Sequence, residues 1–227
     1  MTRCLKLLSD VKIKDRVESV WQTISEDFER AYEALPAKYM ERAEISFHPF
    51  VKLLGYFCIA TKKMPGDVVE IGVWKGKSLA FMNALTPSNK KVIGIDPCYL
   101  PGQKEELNFF HQRLFPSCYL VRAPSEAAID SVKQLSTRFA ILHIDGNHLE
   151  EFVKNDFLNY ERCVVPGGYI IFDDYGDDLY SPQVRTAVDS LRSSSMFEAY
   201  EIIGQLPGYE NSYVLKKRRK FLSWLFD

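Results

Sequence analysis

VVEIGVWKGKS, Val68 to Ser78, joins two kinds of structure in one short stretch. Val68-Val69-Glu70-Ile71 is β-branched and mostly apolar, the composition of a buried strand. Lys77 to Leu85 has the apolar spacing of a helix. Between them, Gly72 to Gly76 must reverse the chain. Glycine suits such a turn because it takes positive φ and lets a ligand approach the backbone closely.

The same alternation continues downstream. Lys91 to Ile95, Cys118 to Arg122, Phe139 to Ile144 and Tyr169 to Phe172 read as strands. Gln103 to Leu114, Ser125 to Gln134, Leu149 to Tyr160 and Pro182 to Leu191 read as the helices between and after them, with Ser125 as a serine cap. Glu198 to Ile203 and Ser212 to Leu215 follow each other without a helix, so they pair antiparallel. The expected fold is α/β: a doubly wound, mostly parallel, seven-stranded Rossmann-like sheet with helices on both faces. Ligands of such sheets lie at the carboxyl ends of the strands.

Upstream, Val17, Val20, Trp21, Ile24, Phe28, Ala31, Tyr32 and Leu35 form one stripe of a helix over Asp15 to Leu35, stopped by Pro36. Phe47 to Lys62 reads as a second helix. The organisation is a single domain: an N-terminal helical addition over 1–64, a core over 65–215 and a basic and aromatic tail over 216–227.

Composition excludes several classes. The chain has 227 residues, 46% apolar and 26% charged, with a net charge of −1. That supports a sizeable core and gives no global attraction to nucleic acid. Five widely spaced cysteines without a CxxC pair argue against a disulfide scaffold or a zinc site. Neither a secretory signal nor a membrane-length apolar run is apparent, so the expectation is a soluble, cytoplasmic protein, with a homo-oligomer left open.

Two candidate sites follow from the strand tips. At the first, Gly72 and Gly76 occupy the turn after the first strand of the sheet, and Asp96 ends the next, where such sheets place a ribose-binding carboxylate. The spacing is E-x-G-x-x-x-G rather than the G-x-G-x-x-G of dinucleotide enzymes. At the second, LHIDGNH ends in Asp145 and GGYIIFDD ends in Asp173 and Asp174. Neighbouring strands are about 4.8 Å apart, so these carboxylates converge. Close carboxylates repel unless a cation relieves them, and oxygen ligation favours magnesium or a similar divalent ion. Asp173 and Asp174 share one ion only if the strand breaks there, because adjacent strand residues face opposite ways. His148 is a candidate general base. His143 reads as a hydrogen-bonded core residue, Asp177 and Asp178 as loop caps, and Arg185 as a partner of the aspartate loop.

VVEIGVWKGKS followed by VIGIDP resembles motifs I and II of class I S-adenosylmethionine-dependent methyltransferases, and especially the macrocin (sugar) O-methyltransferase group. The resemblance implies that Glu70 and Gly72 lie by the methionine part of the cofactor. It implies that Asp96 binds the ribose, with Gly76 and Ser78 in the same cofactor segment. RAPSEAAI resembles the adenine-side segment, which makes Ser125 a candidate contact. LHIDGNH, VVPGGYIIFDDYGD and QVRTAVDSL resemble successive blocks of metal-dependent O-methyltransferases. The resemblance implies magnesium held by Asp145, Asp173 and Asp174 and a small hydroxylated acceptor such as a sugar or natural product; on the reading of the residues themselves, His148 or Asp145 takes the proton. The DGNH block departs from the sugar enzymes and leaves the acceptor open. Two other classes stand beside this reading: a nucleotide-dependent oxidoreductase, which the missing glycine fingerprint disfavours, and a non-catalytic S-adenosylmethionine-binding protein.

LKKRRKFLSWLFD closes the sequence. Its basic run and aromatic end have the composition of a membrane-surface or docking segment. The favoured reading is a solvated turn whose aromatics pack on the body.

Overall fold

A computed structural model describes residues 3–35 and 49–219. Pro36, Phe47, His48 and the tail from Lys220 onward lie outside the described residues. Two helices open the chain, α1 (Arg3–Ser9) and α2 (Val11–Glu33). The sequence reading missed α1 and started α2 late. Asp10 caps α2 by accepting from the Ile13 amide at 3.2 Å, which moves the start ahead of Asp15. A 3₁₀ turn at Pro49–Val51 leads into α3 (Lys52–Thr61).

The core then runs β1 (Asp67–Ile71), α4 (Lys77–Leu85), β2 (Val92–Ile95), α5 (Gln103–Leu114), β3 (Tyr119–Val121), α6 (Ser125–Leu135), β4 (Phe139–Ile144), α7 (Glu150–Tyr160), β5 (Val164–Phe172), α8 (Pro182–Arg192), β6 (Tyr200–Leu206) and β7 (Tyr209–Lys217). The sheet order is β3-β2-β1-β4-β5-β7-β6. β1 to β5 are parallel, and β7 is antiparallel to both its neighbours, as the missing helix between the last two strands required.

Strand alternation divides the core between two faces. Val68, Ile141, Tyr169, Ile171 and Val214 pack with the N-terminal helices, α4 and α5 on one side. Val69, Ile71, Ile93, Leu142, Ile170 and Phe172 pack with α6, α7 and α8 on the other. The N-terminal helices are part of the first core. Phe28 is fully buried and stacks on Phe110 at 5.0 Å and on Phe115 at 6.3 Å.

The parallel register positions everything that follows. Ile71 pairs with Ile95 and with Ile144, and Ile144 pairs with Phe172. The residues one step beyond these pairs therefore form a single row along the carboxyl edge: Asp96, Gly72, Asp145, Asp173. The ladder continues into this row. The Gly72 amide donates to Ile95 at 2.9 Å, Asp145 to Ile71 at 2.8 Å and Asp173 to Ile144 at 3.0 Å.

Candidate active site

Above this row lies a cleft of about 860 Å³. Its wall includes the loop after β1, Asp96, the Pro124–Ser125 start of α6, and the acidic tips of β4 and β5. Two sequence-predicted sites thus form two ends of one cavity.

At the β1 end, Gly72 has φ +87°, and a Cβ there would stand 1.7 Å from the Asp145 carbonyl oxygen. Glycine is required because two strand exits cross at contact distance. Gly76 also has positive φ, +88°, but it does not line the cleft. A Cβ at Gly76 would meet the Phe115 ring at 2.2 Å, so its small size serves packing beneath α4. Ser78 lines the cleft wall. Glu70 does not: it is fully buried on the opposite face of β1 and bonds His143 Nδ1 at 3.0 Å. His143 is the core histidine its strand position suggested. Burial alone would depress its pKa, but Glu70, with Asp145 and Asp173 behind it, lifts it to about 9.

Asp96 is buried and lines the cleft. Its Oδ2 accepts from the Val73 and Trp74 amides at 2.9 and 2.8 Å. Its Oδ1 accepts from the Cys98 amide at 2.7 Å and the Gln103 amide at 2.9 Å. Four donors fill an ionised carboxylate. Asp96 therefore clamps the loops after β1 and β2 together.

Ser125 lines the cleft, but it is not the cap of α6. Pro124 stands at that position, and the Ser125 hydroxyl donates to the Asp156 carboxylate instead. Asp156, inside α7, was invisible to sequence reasoning. It is only 2% exposed and lines the same cleft. Its second carboxylate oxygen has no hydrogen-bond partner among the described residues. Burial pushes its pKa up to about 6, against the pull of the Ser125 bond. The one signal in the sequence was an acid on the buried stripe with Val153, Phe157 and Tyr160.

At the other end the strand does break. It stops at Phe172, and Asp174 takes φ +56°, a left-handed conformation that costs a non-glycine residue energy. The two aspartates then part company. Asp173 Oδ1 accepts from Ser212 Oγ at 3.0 Å, and Asp174 Oδ1 accepts from Asn211 Nδ2 at 2.8 Å. Ligand atoms gather in two overlapping triads, His143–Asp145–Asp173 and Asp145–His148–Asp174, each within 4.8 Å. Asp145 belongs to both. Burial and the facing charge of Asp173 push its pKa up to about 7, and burial raises Asp173 as well. The repelling carboxylates of Asp145, Asp173 and Asp174, drawn together in this way, fit a hard divalent cation.

His148 Nε2 lies 3.3 Å from Asp174 Oδ2 and 3.6 Å from Asp145 Oδ1. Its Nδ1 is 2.8 Å from Ser181 Oγ, which itself donates to Asp174 at 3.3 Å. The Asp145 contact, despite burial, raises the pKa of His148. Arg185 pairs with Asp178 at 3.3 Å, and Asp177 accepts from the Leu179 and Tyr180 amides, as loop residues of these types do.

Strand order, register and a cleft over the parallel carboxyl edge together define the class I methyltransferase fold. Residues 69–175 match the family model of a methyltransferase domain. The chain is 33% identical to the uncharacterized protein R132 of Acanthamoeba polyphaga mimivirus, over 75% of this chain and 82% of that one. Among solved structures, the O-methyltransferase NovP superposes with a TM-score of 0.58 at 21% identity, covering 74% of this chain and 79% of the other. CalS11, a TDP-rhamnose 3'-O-methyltransferase of calicheamicin biosynthesis, gives 0.59 at 17% identity, covering 88% and 93%. An O-methyltransferase from Bacillus cereus in complex with SAH gives 0.62 at 14% identity, covering 87% and 91%. The chain belongs to the class I S-adenosylmethionine-dependent methyltransferases, and the oxidoreductase alternative falls.

Proposed function

We propose that the chain is a divalent-metal-dependent O-methyltransferase acting on a hydroxyl of a small molecule, such as a sugar or natural product. The observation that carries this reading is the sharing of one cleft by the Gly72–Asp96 row and the Asp145–Asp174–His148 cluster. The names of NovP, CalS11 and the Bacillus cereus protein support an oxygen acceptor. The cleft volume falls in the upper range of small-molecule sites.

S-adenosylmethionine supplies a methyl group made electrophilic by its sulfonium. The protein's task is alignment and activation of the acceptor. Gly72 and Ser78 border the methionine part. Asp96 shapes the ribose subsite, where vicinal hydroxyls would replace the Gln103 amide at Oδ1. Asp156 accepts from the exocyclic amine of adenine through its unpartnered oxygen, with Ser125 holding the other.

With His148 left outside the ligand set and Asp173 next to them, Asp145 and Asp174 would hold the cation. Bound there, it would supply charge neutralisation and lower the pKa of an acceptor hydroxyl. His148 is the proton acceptor. In the geometry Nδ1–H to Ser181 to Asp174, the Nε2 proton is retained by two carboxylates. When those carboxylates serve a cation instead, Nε2 is free to take a proton.

The test is release of S-adenosylhomocysteine with a panel of sugars, sugar nucleotides and catechols. Turnover with magnesium and its loss in chelator support the reading. Full turnover in excess chelator refutes the metal, and cofactor binding with no product across the panel refutes the enzyme.

A further inference from the structure

β7 runs antiparallel to β5, so it enters the sheet at the carboxyl edge, where the parallel strands end. Phe172 pairs with Tyr213. One step beyond this pair stand Asp173 and Ser212, and two steps beyond stand Asp174 and Asn211. Opposed residues of an antiparallel pair share a face, and their side chains meet. The hydrogen bonds follow that register. Ser212 Oγ donates to Asp173 Oδ1 at 3.0 Å, and Asn211 Nδ2 donates to Asp174 Oδ1 at 2.8 Å. The pairing thus runs on through side chains after β5 itself has stopped at Phe172.

Three further contacts lace this seam. The Tyr175 and Tyr213 ring centroids lie 4.6 Å apart, the Gly176 amide donates to the Asn211 carbonyl at 3.1 Å, and a Cβ at Gly176 would stand 2.4 Å from the Glu210 carbonyl oxygen. Asn211 is therefore held against the loop that follows Asp174, and it lines the cleft.

Both donors are neutral, and the chemistry of the cluster gives that a reason. A lysine or arginine at either position would cancel the carboxylate charge that draws a cation. A hydroxyl or a carboxamide satisfies one oxygen and leaves the charge in place. Burial raises the Asp173 pKa, and the Ser212 bond pulls against it, toward the ionised form. Asn211 occupies Oδ1 of Asp174 and leaves Oδ2 to face His148 Nε2 at 3.3 Å, within the group that includes Asp145. We infer that Asn211 and Ser212 are positioning residues for the divalent cation proposed above, on which this role depends, and that they act through the Asp174 and Asp173 carboxylates. The partners behind metal-ligating carboxylates fix the orientation of the ligand oxygens, and losing one weakens the metal by roughly 10- to 100-fold.

Manganese titration of the full chain, saturated with S-adenosylhomocysteine and read by the paramagnetic resonance of the free ion, tests this role. Asn211→Leu, close in volume but without a donor, should weaken manganese roughly tenfold or more. Ser212→Ala should weaken it too, and Ser212→Thr, which keeps the hydroxyl, should restore it to within about threefold of the unaltered chain. Calorimetric affinity for S-adenosylhomocysteine should stay within about threefold in all three variants, whereas a general distortion of the cleft would lower both affinities. Should Asn211→Leu fail to fold, the two Ser212 variants carry the same comparison. Unchanged manganese affinity in Asn211→Leu and Ser212→Ala, or an equal loss of cofactor affinity, overturns the positioning role and leaves the cation reading standing. An unaltered chain that binds no manganese overturns both.

Discussion

At Asp145 the backbone and the side chain have separate duties. The carbonyl oxygen closes the space beside Gly72, while the carboxylate joins both ligand triads. The two duties predict different mutant phenotypes. Gly72→Ala should destabilise the fold by more than about 2 kcal/mol, because the methyl group meets backbone at a left-handed φ; a urea melt reads this. Asp145→Ala and Asp174→Ala should instead remove turnover at least a hundredfold while leaving cofactor affinity within about threefold, as read by calorimetry. Asp156→Asn should weaken cofactor binding roughly tenfold or more, the cost of losing a charged acceptor, and should erase any preference for adenine over its 6-oxo analogue. Unchanged affinity and preference would remove Asp156 from the adenine subsite. Residues of this kind divide sharply in how readable they are. Asp96, Asp145, Asp173 and Asp174 stand at strand ends and could be found from pattern. The pairings Glu70–His143 and Ser125–Asp156 span 73 and 31 residues, and no local pattern encodes them. Gly76 kept the look of a ligand turn although its neighbour is a phenyl ring.

Secondary elements were more legible than their roles. Strand–helix alternation, the break after Phe172 and the antiparallel β6–β7 pair all follow from apolar period and turn residues. The start of α2 and the existence of α1 did not, since a short helix carries little periodic signal. Nor did the sequence say whether the N-terminal helices cover a sheet edge or the active site. They pack on one face of the sheet, where Phe28 stacks on Phe110 of α5 and on Phe115 just beyond it, and Trp21 of α2 lines the cleft. Phe28→Ala should cost about 3–5 kcal/mol, in one cooperative transition with an unchanged denaturant slope. A second, separate transition would mean that residues 3–33 fold apart from the sheet. The carboxyl edge also concentrates strain. Trp74, Cys98 and Asp174, the non-glycine residues with positive φ among those described, all follow strand ends there.

For the molecule as a whole, parallel register is the organising fact. It draws carboxylates from distant parts of the chain into one row and sets a charged histidine beneath them. Folded His143 keeps its proton to about pH 9, against about 6.5 when unfolded. The stability this proton contributes is complete below pH 6.5 and is lost as pH rises to 9, a change on the order of 3 kcal/mol in chelator-treated protein. Glu70→Gln should flatten that slope in pH-dependent melts. Asp145 adds a ligand effect: its carboxyl holds a proton to about pH 7, so magnesium should raise the melting temperature more at pH 8 than at pH 6. The most direct measurement of the central claim is an anomalous difference map from crystals grown with manganese and S-adenosylhomocysteine. The account predicts one strong peak within coordination distance of Asp145 and Asp174, next to the cofactor sulfur. A cleft that holds the cofactor with no peak there at saturating manganese would contradict it.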